Sequence, residues 1–367
     1  MSYIFRIRDV QPDAHRPFVA ERLLALKSAL RAQIQAGTDE RSLRLATWNL
    51  MHFGDGGAYK RTTESLLYIA EIIDHFDLVA IQEVNENLDD FETLIERHLG
   101  GDWDYLVTDT TAGSKGNKER LAFAYRKAKV WFKKEAGEIV LPEGQEIAVP
   151  DEEGVTSHVQ FARSPFTVAF QSGWFRFKLC TVHIFYGDAA ENSAKMKQRR
   201  DEIESIAKFL ADRQKDEEKA RGLIANYILL GDFNIVSPEH QTMQALEGQG
   251  FSVPQGIKDA PSSLSGNHNY DQIAFKLADN RVEIGASGVF DMFASVYRNE
   301  DAPQYVDVVQ PPAFDQNSDG EARTRDQKIA YFKNYYRKHQ MSDHKLLWCE
   351  VKTDFSDHYL QALIPQP

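Results

Sequence analysis

Short apolar runs alternate with longer amphipathic stretches along most of this chain. Leu-Val-Ala-Ile at 78–81 and Tyr-Ile-Leu-Leu at 227–230 are nearly continuous in apolar residues, as expected of strands covered on both faces. The same reading predicts strands over 43–49, 78–83, 121–126, 166–170, 175–183, 227–232, 270–275 and 345–351. Helical periodicity fills the intervals. Residues 18–36 place Phe18, Leu23, Leu24, Leu26 and Leu30 on one stripe that stops near Gly37. Residues 63–76 carry Leu66, Leu67, Ala70 and Ile73 behind a cap at Thr62 or Thr63. Residues 192–213 carry Ile203, Ile206, Ala207 and Leu210. Ser237-Pro238-Glu239 has the signature of another helix start, closed by Gly248 or Gly250.

Strand and helix alternation predicts α/β layers in a single unit, with residues 1–40 as a helical extension packed on a main domain of 41–367. Two stretches break the pattern. Residues 138–158 are acidic and contain Pro142, Pro150 and Gly154, which reads as a surface loop. Residues 299–328 contain Pro303, Pro311 and Pro312 among many Asp and Asn, which reads as a long exposed insertion burying little apolar area.

Composition narrows the class. At 367 residues, 42% hydrophobic and 27% charged, the chain has the makings of a large folded core. No apolar run approaches the roughly 20 residues that cross a bilayer. The start, MSYIFRIRDVQPDAHRP, lacks a charged segment followed by an apolar core and a cleavage site, so the cytoplasm is the expected location. Cys180 and Cys349 are too few for a disulfide framework or a four-cysteine zinc site, and both sit in apolar stretches as reduced thiols. The net charge of −12 does not attract nucleic acid by itself. A phosphate substrate would need local basic groups or cations at its site.

Polar residues meet the apolar strands at informative places. The first strand ends in Trp48-Asn49, the second in Gln82-Glu83, another in His183, and another in Gly231-Asp232-Phe233-Asn234. Asp271 opens a strand, and Ser342-Asp343-His344 immediately precedes the last one. In antiparallel neighbours the start of one strand lies beside the end of the next. One rim could therefore gather Asn49, Glu83, His183, Asp232, Asn234, Asp271, Asp343 and His344. Carboxylates and amide oxygens without thiols suit a hard cation such as Mg²⁺ or Mn²⁺.

With these motifs in this order, from about Leu43 to Val351, the chain resembles the endonuclease/exonuclease/phosphatase superfamily. The resemblance implies a four-layer α/β sandwich: two mixed, largely antiparallel sheets flanked by helices. It implies that Glu83 is the main Mg²⁺ ligand, with Mn²⁺ as the alternative ion, and that Asn49 and Asp343 help to hold the cation and its waters. Asp232 would orient or deprotonate the attacking water, and Asn234 would donate to the scissile phosphate. His344, partnered by Asp271, and His183 would share the contacts to phosphate and the proton transfers. Two further segments resemble phosphate-contacting ones: Glu-Arg-Leu-Ala-Phe-Ala-Tyr-Arg at 119–126, giving Tyr125, and Phe-Ala-Arg-Ser-Pro-Phe-Thr-Val-Ala-Phe at 161–170, giving Arg163, whose fork suits phosphate.

Each motif alone has an ordinary explanation, since Gly, Asp and Asn favour turns, and only their joint order is informative. The implied function is a Mg²⁺-dependent phosphodiester hydrolase with DNA as the leading substrate. The alternative is a phosphatase or phosphodiesterase acting on a small-molecule or lipid phosphate, and the chain lacks an aromatic hairpin of the membrane-inserting kind. A non-catalytic binding module is the third reading. The remaining histidines, among them His52, His158, His240, His268 and His358, have no ligand-like spacing and are expected in solvent. Oligomeric state is not legible in the sequence.

Overall fold

The computed structural model describes residues 2–111, 117–150, 156–188, 190–221 and 225–364. Its strands are β1 Leu43–Phe53, β2 Leu78–Val84, β3 Trp103–Val107, β4 Arg120–Arg126, β5 Trp131–Glu138, β6 Ile147–Pro150 and β7 Thr156–Val159, then β8 Phe166–Ser172, β9 Phe175–His183, β10 Tyr227–Asp232, β11 Asp271–Lys276, β12 Ile284–Phe290 and β13 Leu346–Val351. They form a six-stranded sheet in the order β12-β13-β1-β2-β4-β3, a five-stranded sheet in the order β11-β10-β9-β8-β5, and a β6-β7 hairpin. Most pairs are antiparallel. β1 with β2 and β9 with β10 are parallel.

The near-continuous apolar runs follow from this layering. Alternate residues of a strand face opposite sides of its sheet. Leu45 and Ala80 enter the core between the sheets with Phe123, Leu179, Leu230 and Cys349. Ala46, Trp48, Val79 and Ile81 enter an outer core under the helices α1 Arg16–Gln33 and α2 Thr63–Ile73. On the other flank, Cys180, Val182 and Leu229 pack against Ile203, Ile206 and Leu210 of the Ala194–Arg221 helix. Four layers result: helices, sheet, sheet, helices. Both cysteines are free and buried. No helix of the described residues is long and apolar enough to cross a membrane.

Several local expectations need correction. In α1 the buried stripe is Val19, Leu23, Leu26 and Leu30, while Leu24 faces solvent, because helical phase separates Leu23 from Leu24 by about 100°. Thr62 does cap α2, accepting from Ser65 N. The helix after β10 begins later than Ser237-Pro238-Glu239, at Gln241–Glu247, because the His240 ring accepts from Thr242 N and supplies the cap. The 138–158 stretch is not a plain surface loop: β6 and β7 pair there, and Ile139, Leu141 and Ile147 are buried. Residues 151–155 of it lie outside the described residues.

The 299–328 stretch is likewise not an exposed insertion. Ala302, Tyr305, Val306 and Phe314 are buried in the outer core, Tyr305 stacking on Phe332 at 4.7 Å. Its large rings, Tyr305 and Phe314, join an aromatic cluster with Tyr297 and Tyr336, and Ala302 and Val306 are buried in the same core.

Candidate active site

The rim is built by strand ends of both sheets. β1 carries Asn49 to the rim and then bulges through Met51 and His52, both with left-handed backbones (φ 44° and 51°), before pairing with β2 resumes at Phe53. The parallel neighbour β2 carries Glu83, also left-handed (φ 59°), at an irregularity in its pairing with β1 and β4. Such positions are uncommon for non-glycine residues and re-aim a side chain at a sheet edge. In the facing sheet, β9, β10 and β11 bring His183, Asp232 and Asp271 into one register row.

Asn49 joins the two sheets. Its Nδ2 donates to Glu83 Oε1 at 2.8 Å and to Asp232 Oδ2 at 3.0 Å, while its Oδ1 accepts from Met51 N at 2.9 Å. The structure therefore gives Asn49 the task of bracing two carboxylates, and its oxygen is taken by the backbone. The other Glu83 oxygen accepts from His52 N at 2.9 Å.

The Ser342-Asp343-His344 segment is anchored to β1. Ser342 Oγ donates to Asn49 O at 2.6 Å, His344 N donates to Ser342 Oγ, and Trp48 Nε1 donates to His344 O. His344 Nδ1 lies 2.8 Å from Asp271 Oδ2, and its Nε2 lies 3.8 Å from Asp232 Oδ2. This pair spans the two sheets, since β11 and β13 belong to different ones. It does not join neighbouring strands of one sheet. Asp343, with a half-exposed side chain, lies 4.0 Å from His344 Nε2.

A second dyad mirrors the first. His183 Nδ1 lies 2.8 Å from Glu119 Oε2, and its Nε2 lies 3.6 Å from Asp232 Oδ2 and 3.9 Å from Glu83 Oε1. Arg163 grips the same Glu119, with Nε 2.6 Å from Oε2 and Nη2 3.0 Å from Oε1. Burial opposes charge on Glu119, His183, Asp232 and His344, and their pairing overcomes it, whereas for Asp271 burial prevails and raises the pKa. Glu119, buried but facing His183 and Arg163, is held down to about 2. Burial disfavours the imidazolium of His344, but Asp271 and Asp232 outweigh it and hold its pKa well above the ordinary histidine value. Asp232 is kept below the carboxylate range because His344 and His183 outweigh its own burial.

The eight residues predicted for the rim are thus brought together, and the two phosphate-contact candidates fare differently. Tyr125 is not at the rim. It pairs with Leu78 at the opposite end of β2 from Glu83, its ring is buried between the sheets, and its hydroxyl donates at 3.3 Å to exposed Asp104. β4 runs antiparallel to β2, so the start of β4 lies at the active edge, and Glu119 immediately precedes that start. Arg163 is near the rim, with its fork spent on Glu119. Asn234 N–H donates to Asp232 Oδ1 and its Nδ2 donates to Ile184 O at 2.8 Å, so part of its donor capacity is already used. Glu119 is the residue sequence reasoning missed. Applying the antiparallel rule to Glu119-Arg120 as it was applied to Asp271 would have found it. Among the other histidines, His52 and His268 are half-buried against Tyr59 and Tyr270, while His158 and His358 are exposed.

The donor set fits a hard cation. Glu83 is only 14% exposed and has no Lys or Arg within 4.0 Å among the described residues; His52 and His183 approach at 3.8 and 3.9 Å. Among the described residues, Asp232, Asp271 and His344 converge with candidate ligand atoms within 4.8 Å of one another. A shallowly buried carboxylate with no close basic partner, in a site without thiols, calls for oxygen-loving cations.

A model of the endonuclease/exonuclease/phosphatase family matches residues 46–358. Among solved structures, the chain is similar to the human Nocturnin catalytic domain with bound sulfate anion, at 14% identity and TM-score 0.50 over 86% of this chain and 95% of that one. It is also similar to an endonuclease/exonuclease/phosphatase family protein from Bacteroides thetaiotaomicron, at 18% identity and TM-score 0.51 over 84% of this chain and 94% of that one. No curated protein sequence matches it.

Proposed function

This chain belongs to the endonuclease/exonuclease/phosphatase family, a family of phosphoric ester hydrolases, and from its site we propose that it is a divalent-metal-dependent phosphodiester hydrolase with DNA as its leading substrate. The observation that carries the proposal is the placing of Asp232 between two acid–histidine dyads, next to Glu83. Glu83 and Asp343 would hold Mg²⁺, or Mn²⁺ in its place, while Asn49 fixes the direction of the Glu83 carboxylate. When bound, the cation supplies Lewis-acid polarisation of phosphoryl oxygens and neutralises developing charge.

The protein's own groups do the rest. Asp232, kept ionised by its two histidine neighbours, accepts a proton from an incoming water. His344, held as imidazolium by Asp271, offers Nε2–H to a phosphoryl oxygen as charge builds there. His183, oriented through Nδ1 by Glu119, is placed to give a proton to the leaving oxygen. Arg163 fixes Glu119, and so acts on phosphate through His183. Asn234 offers the amide hydrogen that Ile184 does not take.

The test is hydrolysis of bis(p-nitrophenyl) phosphate and of labelled DNA with Mg²⁺, against EDTA. Glu83→Ala should abolish both and remove the main heat signal of a Mg²⁺ or Mn²⁺ titration without unfolding the protein. An unchanged titration would move the ligand role elsewhere. Cleavage of monoesters but not of either diester would make the enzyme a phosphatase.

A further inference from the structure

Residues 322–342 hold six basic side chains and a single acid, Asp326, in a chain with a net charge of −12. Four of the six are committed: Arg323 to Ala313 O at 2.7 Å and the Tyr331 ring, Arg325 to Asp307 at 2.7 Å, Lys328 to Asp315 at 3.4 Å, and buried Arg337 to Asn299 and the Phe293 ring. Lys333 and Lys338 have no ion pair among the described residues. Both line a groove of about 400 Å³ with Tyr270 and Asp343, next to the active rim.

The same segment forms one helical arm, Arg325–Tyr331, Phe332–Tyr336 and Arg337–Gln340. Helical spacing stacks Tyr331 on Tyr335 at 5.7 Å and brings Tyr335 within 6.4 Å of His339. The rings continue beyond the arm. His339 lies 4.6 Å from Tyr59, Tyr59 lies 4.7 Å from His52, and His52 Nδ1 lies 3.8 Å from Glu83 Oε2. An i, i+4 aromatic pair stabilises a helix on its own. That accounts for Tyr331 with Tyr335, but not for the continuation onto Tyr59 and His52 in other elements. Nor does it account for leaving Tyr335 53% exposed.

A series of aromatic rings, Tyr331 and Tyr335 stacked and the rest tilted by 49–56°, lies beside two lysines without an acid partner, Lys338 of them 5.6 Å over the Tyr335 ring. Rings and cations together are the two components that bind single-stranded nucleic acid. We infer that this arm is a docking track for a single strand, with bases stacking on Tyr335 and the rings towards His52 and phosphates facing Lys333 and Lys338. The track delivers the strand to Glu83. A duplex keeps its bases paired and stacked on each other, so it cannot use these rings. The inference rests on the phosphodiesterase reading for its purpose, but the binding it claims is measured separately.

Binding of a fluorescent 15-nucleotide oligothymidylate should be followed by anisotropy in EDTA, beside a duplex of equal length. The single strand should bind more tightly, and its affinity should fall as salt rises. Tyr335→Ala should weaken it about tenfold, Tyr335→Phe should keep it, and Lys333→Ala with Lys338→Ala should flatten the salt dependence. Trp174→Ala, at an exposed ring elsewhere, should bind like the wild type. Equal binding of single strand and duplex, or wild-type affinity in Tyr335→Ala, would overturn the track. So would displacement by a monosaccharide phosphate as effective as by a mononucleotide. Wild-type cleavage of bis(p-nitrophenyl) phosphate separates the two readings: a protein that cleaves it but fails these binding tests loses the track and keeps the hydrolase assignment.

Discussion

Of the buried acid–histidine pairs among the described residues, one at the active rim and one beneath α1 make the clearest contrast, and only the first is built to react. At the active rim, His344 Nδ1 meets Asp271 at 2.8 Å. Beneath α1, His15 Nε2 meets Glu64 at 2.9 Å. Distance and burial are nearly the same, and the surroundings are not. Glu64 also accepts from Tyr305 at 2.6 Å and from Tyr68 at 3.0 Å, and the other His15 nitrogen is bonded to Gln304. Every atom there has a partner, and aromatic rings close the cluster. At the rim, His344 Nε2 stops 3.8 Å short of Asp232, and Asp271 Oδ1 has no hydrogen bond. A carboxylate–histidine contact is therefore no signature of catalysis. Unspent hydrogen-bonding capacity facing an open edge is the discriminating feature.

The sharpest way to break this comparison is to remove one acid from each region. Asp232→Asn should lower kcat by roughly 10⁴-fold, the upper range for a lost base, with a urea midpoint close to that of the wild type. Glu64→Ala should do the reverse: stability falls by roughly 3–5 kcal/mol, because three donors are left buried without an acceptor, while kcat per folded molecule holds. Steady-state kinetics beside urea melts check both. Equal damage to activity from both variants would mean that the two clusters are coupled.

Within the rim, Asp271→Asn and His344→Ala should each cost roughly 10²-fold in kcat, and the double variant little more than either. Residues acting as one unit lose their effect together. Strictly multiplicative losses would show that the 2.8 Å contact does no joint work.

How far the sequence anticipates these regions depends on the kind of signal each carries. All eight predicted strands exist, because each carries enough buried apolar residues to stand out, even β9, where Arg176 is exposed and Lys178 half-buried. The strands that escaped notice are β3, β5 and β12, which are sheet edges, and the short β6-β7 hairpin; such edges carry mixed residues such as Lys133, Lys134 and Glu135 or Gly285 and Ser287. Rim residues were legible because polar groups terminating apolar strands stand out. Tyr125 was misplaced by reading a motif without strand direction, and Glu119 was missed for the same reason. The Glu64 cluster left no signal in one dimension. His15 and Tyr305 come from segments separate from α2, which carries Glu64 and Tyr68 one turn apart, and only packing shows that the three segments meet. The same holds for residues 299–328, where average polarity hides four buried apolar side chains.

Glu202 offers the finest test, because it belongs to neither class. It is a fully buried carboxylate on the Ala194–Arg221 helix, bonded to the amides of Ala162 and Phe185 but to no histidine or tyrosine. Burial pushes its pKa up to about 7; the amides and the more distant Arg163 and His183 pull the other way without prevailing. In the unfolded chain the same carboxyl loses its proton near 4.5. Between those values the folded protein holds one more proton than the unfolded one, so rising pH favours unfolding. The cost is absent below about pH 4.5 and complete above about pH 7. Over pH 5 to 7 it should amount to roughly 2 kcal/mol. Glu202→Gln cannot ionise, so urea melts at pH 5 and pH 7 should show the variant losing less stability than the wild type over that interval, by about this amount. Parallel losses in the two proteins would mean that Glu202 is solvated or paired in the folded state, which would remove the line drawn here between satisfied and unsatisfied buried acids.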